Sequence, residues 1–302
     1  MQELPNTHFT INFKNLLAQV SDLYEKHAPD VVKKRKNIHL AKQPDAVILS
    51  CYLLGILYSC KTLIGTYRLA CSIYGKDFPS RTRFIRTCNH LQPTLALINQ
   101  ALVQENVTRE DSVGLVDSLP IPLCQPIRNR RAHSAQPLAT IGYNATKNFW
   151  FYGLKFHAVV SRNGLILNFL LSSASLHDAK AVEDLTDSFF IPTLLGDAGY
   201  IGKELANRLS KRGIRLIAIP RKSMKEANTI DYSIVKKQRK AIETVFSSLE
   251  ILGIETIHAH SVKSIMTRVQ LTVLLYNLLL IEAHKREYGT LKFSIGLECL
   301  GG

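Results

Sequence analysis

The sequence is short of acid, of paired cysteine and of long apolar runs. Asp and Glu number 24 against 38 Lys and Arg, which leaves a net charge of +14 and a pI near 9.5. That excludes an acidic solvating chain and makes a polyanion, nucleic acid above all, the expected partner. From Ser118 to His177 there is no acidic residue at all. None of the six cysteines falls in a C-x-x-C pair. A disulfide scaffold or zinc ribbon is therefore not expected, and the expected compartment is a reducing cytoplasm. The longest apolar stretch, Leu271 to Ile281, falls short of the roughly 20 residues that span a bilayer and reads as a buried helix. Met1 to Pro29 interleaves Glu3, Lys14, Asp22, Glu25 and Lys26 with its apolar residues, so neither a signal peptide nor a membrane partner is expected. No internal repeat or low-complexity segment appears.

What is present divides near residue 108. The first part has helical periodicity. Apolar residues at Phe13, Leu16, Leu17, Val20 and Leu23 predict one helix. The nearly all-apolar run Ala46 to Tyr58 predicts a central helix, and Thr62 to Tyr74 another that Gly75 ends. Ser80 is placed to N-cap a further helix, which shows Arg81, Arg83 and Arg86 at its start. That arrangement suits the recognition helix of a helix-turn-helix unit, although a solvated helix face has the same pattern. From Val113 the pattern becomes that of strands. Val113–Val116, Phe149–Val160 and Leu165–Leu171 are apolar, aromatic or β-branched, and Asn163-Gly164 is a hairpin signal. After Asp178 helices and strands alternate, with strands at 193–195 and 215–219 and helices over 178–190, 202–212 and 233–252. The order β-β-β-α-β-α-β-α predicts an α/β fold with a mixed five-stranded sheet flanked by helices.

Three carboxylates stand out. Asp117 closes one apolar strand and Asp197 another, and a carboxylate in such a place is costly unless it is paired or holds a cation. Glu243 borders the stripe Ile242, Val245, Phe246 and Leu249 of the last helix. Oxygen ligands of this kind suit Mg²⁺ or Mn²⁺. Each acid alone has a plainer reading as a cap, a turn residue or a solvated helix residue. Asp178 reads as a helix N-cap, Asp111 as a strand-entry residue, and His157 as structural or phosphate-contacting. His177 is a poor ligand for Mg²⁺.

Together these segments resemble the catalytic domain of DDE transposases from bacterial insertion sequences. The matching residues are Val116-Asp117-Ser118-Leu119-Pro120, Tyr152-Gly153-Leu154-Lys155-Phe156-His157, His177-Asp178, Gly196-Asp197-Ala198-Gly199-Tyr200, and Arg239-x3-Glu243-x2-Phe246. The resemblance covers about residues 110–285. It implies an RNase H-like fold, with 1–108 a helical DNA-binding region, 109–286 the catalytic domain and 287–302 a tail. It further implies Asp117, Asp197 and Glu243 as catalytic residues and as ligands of two Mg²⁺ or Mn²⁺ ions, with Asp117 bridging. The implied activity is cutting of DNA at the element's ends and joining of the 3′ ends to target DNA. Implied partners are terminal inverted repeats, target DNA and a second copy of the chain in the DNA complex, in a bacterial cytoplasm. One departure is Glu250, where related transposases often carry Lys or Arg that contacts the DNA end; Lys240 is an expected substitute.

Expected DNA-contacting residues are Arg81, Arg83, Arg86, Arg128, Arg130, Arg131, Lys155, Tyr200, Arg221, Lys222, Arg239 and Lys240. Residues 201–242 hold twelve Lys and Arg against three acids, a charge that weakens DNA binding steeply with salt once it neutralises phosphates. Of Trp150, Phe151 and Tyr152, one is placed to stack on an unpaired base, with core packing the plainer alternative. Two other functions fit the same features: a catalytically inactive, domesticated DNA-binding protein, and an RNase H-like nuclease that cuts without joining.

Overall fold

The computed structural model describes residues 7–108, 111–144, 147–187, 189–219 and 232–285, with backbone alone along 7–12 and 232–239. The chain divides into two compact units: residues up to Gln104 together with Leu252–Leu275, and Glu105–Ile251 together with the chain from Tyr276 onward. The stretch 252–275 thus groups with the N-terminal helices rather than with the sheet.

The first unit is helical, as expected. It is built from α1 (Thr7–His27), α2 (Asp30–Lys33), α3 (Asp45–Leu57), α4 (Leu63–Tyr74), α5 (Arg81–His90), α6 (Gln92–Asn106) and the first part of the last described helix, Val262–Lys285. The run expected to be central is so. In α3 eleven of thirteen residues are buried, and each buried Leu or Ile there contributes roughly 1.5–3 kcal/mol. Helix α4 starts at Thr62, whose hydroxyl accepts from the Gly65 N–H, and α5 starts at Ser80, whose hydroxyl accepts from the Arg83 N–H. Phe78 and Phe84 pack at 5.5 Å between ring centres and Tyr67 sits 6.0 Å from each. The α1–α3 contact is polar at one point. The buried Asp45 carboxylate accepts from the Tyr24 hydroxyl at 2.6 Å and from both terminal nitrogens of Arg35.

The second unit holds β1 (Val113–Cys124), β2 (Thr140–Asn144), β3 (Phe149–Ser161), β4 (Ile166–Ser173), α7 (Asp178–Asp187), β5 (Thr193–Gly196), α8 (Lys203–Lys211), β6 (Arg215–Ala218) and α9 (Tyr232–Ile251). Chain order gives the final helix, Val262–Lys285, the label α10. The sheet is mixed and has six strands, not five, in the order β2-β3-β1-β5-β6 with β4 also on β3. The extra strand is β2. It pairs Phe149–Gly153 of β3, and β4 pairs the rest of β3 from Leu154. The β3–β4 turn falls at Asn163-Gly164, with Gly164 at φ 88°, a conformation that glycine adopts without cost.

Strand β1 runs eight residues past its expected end at Val116 and includes Pro120 and Pro122. Prolines are tolerated because β1 pairs β5 only over Val113–Leu115, whereas β3 accompanies it to Cys124. Beyond Leu115 one side of β1 is a sheet edge, and edges admit proline.

The faces of the sheet are covered differently. Helix α7 lies on the face of His157 and Val159, where the Asn168 amide donates to Leu185 O at 2.7 Å. Helix α9 lies on the opposite face, where the Phe246 and Phe156 rings meet edge-on at 6.2 Å. From Tyr276 onward α10 supports β4. The buried Asn277 side chain accepts from Ile166 N and donates to Ile166 O, both at 3.0 Å, and so serves that edge as a strand would. α10 is long and apolar enough by composition to cross a membrane, but most of its apolar length is buried inside the protein, as in a core helix.

His157 is fully buried on the α7 face. Its Nε2 lies 2.8 Å from Ser172 Oγ, and its Nδ1 faces the Asp178 carboxylate at 3.8 Å. Burial pushes its pKa down to about 4, against a raising influence from Asp178 and a lowering one from Lys155. The imidazole is therefore neutral in the folded protein and protonates first in the unfolded chain. Stability accordingly falls as pH drops from about 6.5 toward 4, by up to about 3 kcal/mol from this group. We expect thermal unfolding midpoints to show this slope, and His157→Gln to flatten it; parallel curves for the two proteins would refute the assignment.

Candidate functional site

The carboxylates Asp117 and Asp197 are set by the parallel pairing of β1 with β5. The register matches Leu115 with Leu195. Asp117 and Asp197 each stand two residues further along, past the last pair of the parallel ladder. Asp197 follows the last residue of β5 and keeps an extended backbone, φ −82° and ψ −173°. Strand alternation thus directs both acids to the face of Leu115 and Leu195. This is also the face of Ala158, which pairs with Asp117, and of Phe156, against which α9 packs. Both aspartates are half-buried. The carboxyl ends of parallel strands at a point where neighbouring strands part company are where α/β folds place their ligands.

Each carboxylate is held by backbone. Asp117 Oδ1 accepts from the Ser118 N–H at 2.8 Å, and Asp197 Oδ1 accepts from the Gly199 N–H at 2.8 Å. The second contact caps the 3₁₀ turn Ala198–Tyr200. The segment Gly-Asp-Ala-Gly-Tyr is a packing unit as well as a chemical one. A Cβ on Gly196 would lie 2.8–3.0 Å from the Tyr200 side chain, so only glycine lets that ring close beneath the turn. Tyr200 is accordingly 1% exposed. Its ring anchors the turn that carries Asp197 and is not on the surface where DNA would meet it.

Glu243 lies on α9, one turn before Phe246. Ile242, Val245, Phe246 and Leu249 are buried, as the periodicity predicts, and Glu243 itself is exposed at the border of that stripe. Among the described residues no three His, Cys, Asp or Glu side chains are grouped closely enough to hold a metal ion. The register sets the two aspartates on neighbouring segments, and Glu243 is on α9. Two half-buried carboxylates, one inside β1 and one just after β5, suit a hard divalent cation that takes its other ligands from water and phosphate.

The other expected residues fall into three groups. Arg81, Arg83 and Arg86 are exposed at the start of α5, and Arg128, Arg130 and Arg131 are exposed on the 3₁₀ turn Pro126–Arg131 that follows β1. Lys240 is exposed on α9. Lys155 is committed inside the unit on the α7 face: its ammonium donates to Leu176 O at 2.9 Å and to the Asp178 carboxylate at 3.0 Å. Asp178 is thereby occupied, on the face opposite Asp117. Arg221 and Lys222 lie outside the described residues, and of Arg239 only the helical backbone is described. The buried Asp111 accepts from Thr108 N at 2.9 Å and from Thr108 Oγ1 at 3.0 Å, which fits entry to β1.

Glu250, the departure noted in the sequence, pairs with Lys147 Nζ at 3.2 Å. Lys147 lies between β2 and β3, on a hairpin that sequence reasoning did not resolve. The cation is therefore present beside α9, supplied by another element.

The family described as "Transposase DDE domain" matches residues 107–262. No curated protein matches the sequence. Among solved structures the chain is similar to a piggyBac transposase in a synaptic complex with hairpin DNA, determined by cryo-EM. The TM-score is 0.51 and the identity 10%, over 95% of this chain and 77% of that one. At that identity the likeness is one of fold.

Proposed function

The chain belongs to the transposase DDE domain family, and from that premise we propose that it cuts DNA at the ends of a mobile element and joins the freed 3′ ends to target DNA. The observation that carries this is the matched placement of Asp117, inside β1, and Asp197, just after β5, each two residues past the last parallel pair Leu115–Leu195. Asp117 and Asp197 would hold Mg²⁺ or Mn²⁺, with Glu243 contributed from α9 as the third carboxylate of a two-ion centre. Metal held there would supply Lewis-acid chemistry, polarising the scissile phosphate and lowering the pKa of an attacking water or 3′-hydroxyl.

The chain's own residues do the positioning. The Ser118 and Gly199 amides fix the two carboxylates. Tyr200, packed under Gly196, fixes the turn that presents Asp197. No acid lies between Ser118 and His177 to repel phosphates, and the arginines at 128, 130 and 131 follow directly on the strand that carries Asp117. In the helical unit Arg81, Arg83 and Arg86, at the start of a helix, suit phosphate or base-edge contact with the terminal repeats. Pairing two DNA ends calls for two copies of the chain in the reacting complex.

The test is a joining assay with the full chain. It uses linear DNA ending in candidate inverted repeats taken from beside the reading frame, a plasmid acceptor, and Mg²⁺ or Mn²⁺. Cut ends and joined products that vanish with chelator are the expected result. Cutting without end preference or joining would make the protein a nuclease instead. DNA binding with no cutting in either metal would make it an inactive relative.

A further inference from the structure

The extra strand β2 lies in the connection, residues 125–148, between β1 and β3. β2 and the start of β3 carry apolar groups that the fold does not use. Trp150 is 61% exposed and Tyr143, its cross-strand partner, 45%. Their ring centres are 5.0 Å apart at 45°. The Tyr143 hydroxyl donates to Asn148 Oδ1 at 2.5 Å, which holds that ring in place. Core packing, the plainer expectation for this aromatic run, holds for Phe151 and Tyr152, which are buried. It fails for Trp150.

Position and charge say what the pair would meet. Along β3, residues 150, 156 and 158 alternate to one face, and Ala158 pairs with Asp117. The aromatic pair therefore lies on the face of the candidate site. The 3₁₀ turn with Arg128, Arg130 and Arg131 packs against β3. Lys147 lies between Tyr143 and Trp150 in the chain and pairs with Glu250 of α9, while residues 125–148 themselves contain no acid. Exposed, rigid rings on a segment that also carries Arg128, Arg130 and Arg131 match an unpaired nucleotide: its base has a face to stack and its phosphate a charge to neutralise.

We propose that Tyr143 and Trp150 form a stacking platform for an unpaired base of a DNA strand that runs along this face, roughly 26 Å along β3 from the level of Asp117. The inference rests on the DNA reading above and adds the state of the DNA that is bound, unpaired rather than fully duplex.

Trp150 is the chain's single tryptophan, so its emission reports on this position alone. The full-length protein, without divalent metal so that DNA stays intact, is titrated with a blunt duplex and with the same duplex carrying a short unpaired 3′ extension. Labelled-DNA anisotropy measures binding in parallel. The extended duplex is expected to quench Trp150 and the blunt duplex to leave it nearly unchanged. Trp150→Ala is expected to weaken binding of the extended duplex about tenfold, and Trp150→Phe, which keeps a ring, to weaken it no more than about twofold. Tyr143→Ala, measured by Trp150 quenching, checks the platform without removing the reporter. Both DNAs binding alike without quenching would overturn the platform and leave the DNA reading standing. Failure of either DNA to bind would overturn the DNA reading and the platform with it. A shift of emission with protein concentration alone, unaffected by DNA, would make the surface a contact between copies of the chain and overturn the proposal.

Discussion

Asp117→Asn and Asp197→Asn each lower metal-dependent DNA cleavage by about a thousandfold, roughly 4 kcal/mol of transition-state stabilisation at 1.36 kcal/mol per decade. The substitution keeps size and one oxygen but removes the charge. The Ser118 and Gly199 amides still find an acceptor, so the turn and the strand persist. Binding of the DNA ends, measured by anisotropy, is therefore expected to stay within a few-fold, and the loss to appear in the rate of the chemical step. With the two aspartates acting in one centre, as proposed, the double variant is expected to be no worse than the poorer single one. Cleavage retained by Asp197→Asn would remove this pair from the chemistry. Glu243→Gln tests whether α9 supplies the third carboxylate: a loss of the same size places Glu243 with the aspartates, and full activity excludes it.

Asp45→Ala destabilises the helical unit by about 3–5 kcal/mol, the usual cost of breaking a buried ion pair by removing one partner. Asp45 is 4% exposed. Its two oxygens take the guanidinium of Arg35 in a forked contact, and the Tyr24 hydroxyl adds a third bond. Removing the carboxylate leaves a partly buried cation and a buried hydroxyl without their acceptor. The Tyr24 pKa is raised well above the ordinary tyrosine value by burial first and by the hydrogen bond to Asp45 second, so the phenol stays a donor throughout the working range. Tyr24→Phe is expected to cost only about 1 kcal/mol, since it removes a donor and leaves the Arg35 pair intact. Denaturant midpoints of the single and double variants give the coupling directly; additive effects of Tyr24→Phe and Asp45→Ala would show that the hydroxyl contributes nothing through Asp45.

Local signals carried much of this fold. Ser80, Thr62, Gly75 and Asn163-Gly164 act within a turn of themselves, so their effects are legible without knowledge of what packs above. The buried stripe of α9 was legible because a 3.6-residue period survives in any surroundings, and the burial of α3 because its run is apolar nearly throughout. Strand length was not. Pro120 and Pro122 argue locally against a strand, and what permits them is the ending of the β5 partner at Leu115, a long-range fact. The short strand β2 is Thr-Ile-Gly-Tyr-Asn, too brief and glycine-interrupted to show a period of two. At the candidate site, Asp197 was legible as a carboxylate closing an apolar strand; Asp117 was read the same way but stands inside β1, which continues to Cys124, and the matched level of the two comes only from the register. The commitment of Lys155 to Asp178 and the burial of Tyr200 were not legible, since a charge or an aromatic in sequence carries no sign of which face its neighbours cover. Glu250 looked like a missing cation until the hairpin brought Lys147 to it.

The prolines of β1 bear on how this molecule stays separate from others of its kind. Past Leu115 the strand has an open side, and an open strand side ordinarily invites another chain to add itself there. Backbone groups at positions 118, 120 and 122 point to the same side of the strand. Ser118 has given its N–H to Asp117, and the two prolines have none to give. A strand that approached this edge would find three successive donors gone and could not zip along it. The edge beside the aspartates is in this way closed to protein backbone, and remains open to a substrate that brings phosphate oxygens and needs no ladder.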